Sequence, residues 1–189
     1  MRLKTPRIAP LRDDEWTPEQ AAALEPLKKH NFLFNIFRTM ARRPEAFKPF
    51  GIWGDYVLRK TLLPAREKEI VILRTGFLCG SAYEWAQHAV IGRREGLTDV
   101  EIARIKAGAD APGWSAADAA LIRAADDLHK DQFITAPVWD ALITHFGEGQ
   151  AMDVVYAAGQ YTLVSMILNT FGVQPDEGLV IDPDLDRRA

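Results

Sequence analysis

Residues 151–172, AMDVVYAAGQYTLVSMILNTFG, are apolar nearly all the way round a helix, and a segment of that kind has to be covered. It can be a central core helix, a contact between subunits, or a membrane span. Asp153, Gln160 and Asn169 make it a poor span, because polar side chains find no partners in hydrocarbon. The rest of the chain must therefore supply helices, or another copy of itself, to bury this one. No sustained period-two alternation and no Asn-Gly hairpin signal occurs, so the chain is expected to be all-α.

The other helices announce themselves by their caps. Thr17-Pro18-Glu19-Gln20 has capping-box spacing with proline at the first helical position, and Ala21, Leu24 and Leu27 follow at helical intervals. Residues 35–60 alternate apolar pairs with basic residues, and Pro44 and Pro49 are expected to divide them into two or three pieces. Phe37, Phe47, Trp53 and Tyr56 are the expected core anchors there. After Pro64 a charged start gives way to Ile70, Leu73 and Phe77 on one helical face. Gly80 and Ser81 should break the chain before a helix that stops at Gly96. Thr98 with Glu101 opens a short helix closed by Gly108, and Ser115 with Asp118 opens another in which Leu121, Ala125 and Leu128 face inward. The tail after Gly172, rich in Pro and Asp, reads as an irregular arm.

A length of 189 residues with 48% hydrophobic and 26% charged side chains suits one domain with a proper core. The net charge of −3 argues against a nucleic-acid partner, which would need a basic field. Cys79 is the single cysteine, so neither a disulfide framework nor a cysteine zinc cluster can form within the chain. The opening MRLKTPRIAPLRDDEW has basic residues with no apolar core behind them, and a cytoplasmic protein without a membrane partner is the expectation.

Against this background residues 81–96, SAYEWAQHAVIGRREG, stand out. Glu84 and His88 are four apart and Ser81 is three before Glu84, so the three share one face of a helix. An imidazole held by a carboxylate carries protons well near neutral pH, because the partner fixes the tautomer and stabilises the cation. Ala82, Ala86, Ala89 and Val90 on the other side allow close packing, and Tyr83 and Trp85 are candidates to exclude water and line a small-molecule pocket. The bland alternative is an exposed ion pair contributing a few tenths of a kcal/mol. A metal site is not expected: the spacing is E-x-x-x-H with no second matching helix. His30, His129 and His145 lie in polar segments as solvated or capping groups, and Cys79 reads as a packing thiol.

REKEIVILRTGFLCGSAYEWAQHAVIGRREGLTDVEIARI, residues 66–105, resembles the carboxymuconolactone decarboxylase family, which includes the alkyl hydroperoxidase D-like proteins. The likeness covers about 51–130 of a single domain spanning 1–189, with the N-terminal helices and the helix at 151–171 as extensions. It implies an alkyl hydroperoxidase D-like helical bundle around a central antiparallel helical hairpin, assembled as a homo-oligomer, trimer or hexamer. In the hydroperoxidase branch the hairpin has a Cys-x-x-Cys pair, then a histidine, with a glutamate upstream. Here Ser81 and Glu84 stand at the cysteine positions, His88 at the histidine and Glu69 at the glutamate. What the resemblance then implies is a cofactor-free enzyme using Glu69, Glu84 and His88 as a proton relay, with Tyr83, Trp85 and Ser81 against the substrate, a small aromatic-derived acid or lactone. Two other readings compete. One is peroxiredoxin-type antioxidant activity, which the missing cysteines oppose; the other is a non-catalytic oligomeric binding protein in which the pair is structural.

Overall fold

A computed structural model describes residues 2–186. Eight α-helices and two short 3₁₀ turns make up the regular structure, and no strand occurs among the described residues. The helices are α1 (Pro18–Lys29), α2 (Asn35–Met40), α3 (Pro44–Arg59), α4 (Ala65–Leu78), α5 (Ala82–Arg94), α6 (Asp99–Ala107), α7 (Ala116–Asp131) and α8 (Ala136–Phe171).

α1 starts where the sequence says: the Thr17 side chain accepts from the Gln20 amide and the Gln20 side chain from the Thr17 amide. Thr98 and Glu101 close the same reciprocal box on α6, and Ser115 caps α7 through the Asp118 amide. Two expectations are corrected. Pro49 lies inside α3 without breaking it; only Pro44 marks a boundary, at the first position of that helix, where no amide is needed. Trp53 is not a core anchor. It is 42% exposed, stacked on Tyr56 and edge-on to Tyr156.

α4 is the innermost element. It packs against α5, α6, α7 and α8, and every residue from Lys68 to Gly76 is buried. Its charged members are bonded rather than stranded: Arg74 donates to Asp126 and to the last carbonyls of α6, and Lys68 Nζ donates to the Leu58 carbonyl at 2.6 Å. The apolar helix expected from residue 151 is the later part of a longer element, α8. α8 starts at Ala136 and turns sharply at Gly147, whose φ of 74° and ψ of 172° are not helical. Beyond that turn Ala151, Val154, Ala157, Ala158, Tyr161 and Leu168 join the core, so a helix long and apolar enough for a membrane is largely packed within the protein.

The connection from α4 to α5 decides the rest. Gly80, at φ 61°, follows the end of α4, the Gly80 amide donates to Phe77 and the Ser81 amide to Gly76. This pair of bonds is a Schellman motif, and it sends α5 back along α4 as an antiparallel hairpin.

Candidate active site

The hairpin sets Glu69 of α4 opposite His88 of α5, and the two are bonded: His88 Nδ1 lies 2.8 Å from Glu69 Oε2. Glu69 is 1% exposed and His88 8%. A Glu69 carboxylate accepting from Nδ1–H leaves the lone pair on Nε2, the nitrogen free to take or give a proton. Tyr161 of α8 closes over the imidazole edge-on, with ring centroids 4.7 Å apart.

Glu84 belongs to the same cluster but not to the same bond. Its Oε2 accepts from Ser165 of α8 at 3.2 Å, while Oε1 is buried with no partner. Burial pushes this carboxyl well above the usual range; the Ser165 bond works the other way, and the nearby charge of Glu69 raises it further. The same burial, with Glu69 and Glu84 nearby, pushes the Tyr161 phenol up. Glu84 is thus a carboxyl whose protonated form is favoured by its surroundings, beside the Glu69–His88 pair. Gly76 makes room for it: a Cβ there would sit 3.3 Å from Glu84 Oε1. Thr75 Oγ1 and Ser81 Oγ, on the same hairpin, are also buried without partners, and such orphaned polar atoms concentrate where a protein handles ligands or protons.

The expected pairing of Glu84 with His88 is therefore corrected, since Glu69 reaches the imidazole across the hairpin. Ser81 is fully buried at the start of α5, where its hydroxyl caps no amide. Tyr83 and Trp85 do not join the cluster, because they point from other sides of α5. The Tyr83 hydroxyl donates to Asp176 of the C-terminal arm, which also accepts from Gln87, and Trp85 packs on Phe77 beneath the Lys106 ammonium. Both rings are buried and structural in what they touch. Sequence reasoning missed Tyr161, Ser165 and Gly76. The first two are four apart on one face of the apolar helix, a polar pair that same-face spacing would have exposed.

Cys79 sits at the end of α4, with its sulfur 3.8 Å from His129 Nδ1. Burial, and then Glu84, push its thiol up, so a reactive thiolate is disfavoured. Among the described residues no three His, Cys, Asp or Glu side chains converge as metal ligands.

This arrangement is an alkyl hydroperoxidase D-like fold. Solved structures share it: an uncharacterized peroxidase-related protein with an alkylhydroperoxidase AhpD core from Ralstonia eutropha JMP134 is 22% identical, with a TM-score of 0.71 over 88% of this chain and 87% of its own. A peroxidase-related protein from Silicibacter sp. TM1040 is 14% identical, with a TM-score of 0.77 over 95% and 96%. The debrominase Bmp8 C82A in complex with 2,3,4-tribromopyrrole is also 14% identical, with a TM-score of 0.76 over 97% and 95%. At these identities the likeness speaks for the fold. Residues 44–127, from the start of α3 into α7, match the model of the carboxymuconolactone decarboxylase family. No curated protein matches the chain.

Proposed function

We propose that the protein is a cofactor-free enzyme of the carboxymuconolactone decarboxylase type, moving protons on a small aromatic-derived acid or lactone. The observation that carries this reading is the buried 2.8 Å bond between His88 Nδ1 and Glu69 Oε2. Loss of carbon dioxide breaks a C–C bond and leaves its electron pair on the substrate, delocalised to a carbonyl oxygen as an enolate. A proton delivered to carbon then ends the reaction. His88 supplies and recovers that proton, Glu69 orients the ring and stabilises its cation, and Glu84, its pKa raised by burial, is a second acid beside them. The match of residues 44–127 to the family model and the exclusion of water from the seam support the assignment.

The test is carbon dioxide release from γ-carboxymuconolactone by the purified protein. Release that falls roughly 10²–10⁴-fold in His88→Asn, and comparably in Glu69→Gln, with both variants folded, bears the proposal out. No release from the parent, or full release from His88→Asn, removes it. The proposal includes a homo-oligomer, trimer or hexamer. Its support is the row of exposed residues Met152, Val155, Gly159, Leu163 and Met166, which recur at three- and four-residue steps along α8 with no charge among them.

A further inference from the structure

A pocket of about 610 Å³, a volume suited to a small organic molecule, opens between the N-terminal arm, the ends of α4 and α7, and the last turns of α8. Arg2 and Arg7 come from the arm, and Cys79, His129, Ser165 and Asn169 from the helices. Among the described residues no Asp or Glu lines it, although the chain as a whole carries a net charge of −3. Leu3, Leu78 and Met166 add an apolar wall.

Both guanidinium groups have structural duties. Arg2 donates to the Cys79 carbonyl at 3.2 Å and Arg7 to the Thr170 carbonyl at 3.5 Å, each at the end of a helix where a cation is favoured. Those contacts occupy one nitrogen of each fork, and a guanidinium has five N–H donors. The arm is fixed in place as well. The Arg7 and Ile8 amides donate to the Phe171 carbonyl, Gln174 donates to the Leu3 carbonyl, and Gly172 lies so close that a Cβ there would be 3.1 Å from the Thr5 oxygen. Two arginines are thus held at one cavity, each using a single nitrogen in its hydrogen bond among the described residues. At its inner wall stands Ser165, 1% exposed, whose hydroxyl bonds Glu84.

We infer that this pocket binds a small organic anion, a carboxylate on a compact apolar or planar body, with the carboxylate at Arg2 and Arg7 and the body directed toward Ser165. Fork-shaped donors match the two oxygens of a carboxylate, and Ser165 places the bound molecule one hydroxyl away from the Glu84 acid. The link to proton transfer rests on the function proposed above; the binding does not.

Isothermal titration of the full-length protein with benzoate and with its neutral counterpart benzamide tests the site. Benzoate is expected to bind, benzamide about tenfold or more weakly, and the Arg2→Gln/Arg7→Gln double variant should lose about tenfold or more of the benzoate affinity. Equal affinity for the two probes, no benzoate binding by the parent, or undiminished binding by a folded double variant overturns the inference. A measurement on the parent alone guards against misfolding of the variant: benzoate affinity should fall as salt is raised, and independence of salt overturns the inference equally. His88→Asn should still bind benzoate. Binding without carbon dioxide release would remove the proposed reaction and keep the pocket, whereas release without charge-selective binding would do the reverse.

Discussion

Glu84 is a carboxyl where water scarcely reaches, 2% exposed, with one oxygen on Ser165 and the other unpartnered. Its pKa is raised because burial penalises the charge and Glu69 adds repulsion. A pKa raised in the folded state means that the folded chain holds more protons than the unfolded one. This group's contribution is therefore fully present below its ordinary value of 4.5 and is lost as pH climbs through the folded value. Glu84→Gln keeps the shape and cannot ionise. Calorimetric melting should show the parent losing stability from mildly acidic to alkaline pH more steeply than this variant, and parallel curves would refute the assignment. Spacing alone singled out Glu84 and His88 because both lie on one helix. It could not see that Glu69 would reach the imidazole first, nor that Tyr161 and Ser165 would arrive from a helix some 80 positions along the chain.

Element boundaries were readable wherever a cap is local chemistry. Thr17, Thr98 and Ser115 each begin a helix by bonding an amide three residues on, a signal contained in four letters. Pro49 misleads for a related reason: proline removes one bond of its own helix, and whether the helix survives is decided by what α3 packs against. The turn within α8 is a backbone matter of another kind. Gly147 has a φ and ψ that side-chain-bearing residues rarely adopt, yet an added Cβ would meet nothing within 4 Å. Gly147→Ala is accordingly expected to cost about 1–3 kcal/mol by urea denaturation through conformation alone, and a neutral result would mean that the turn is not required.

For the molecule as a whole, the all-helical class followed from the absence of any strand signal and from one segment that demanded covering on all sides. α8 meets that demand only partly. Its inward face fills the core, while Met152, Val155, Leu163 and Met166 remain on the surface. Under the proposed homo-oligomer, sedimentation equilibrium should give three or six times the 21.2 kDa chain mass, and Leu163→Lys should shift the distribution toward the single chain. A parent that sediments as a single chain would remove the oligomer. How the helices face one another was the part least open to reading, since that depends on contacts between distant segments and on the bonds of the Gly80 turn.

The fastening of the N-terminal arm to the end of α8 also orders events during synthesis. Residues 7 and 8 leave the ribosome well ahead of their partner, because the carbonyl that receives their amides belongs to Phe171 at the far end of α8. A nascent chain can fold its hairpin before this cavity has its arginine rim, so the cavity is completed only once the end of α8 has been made.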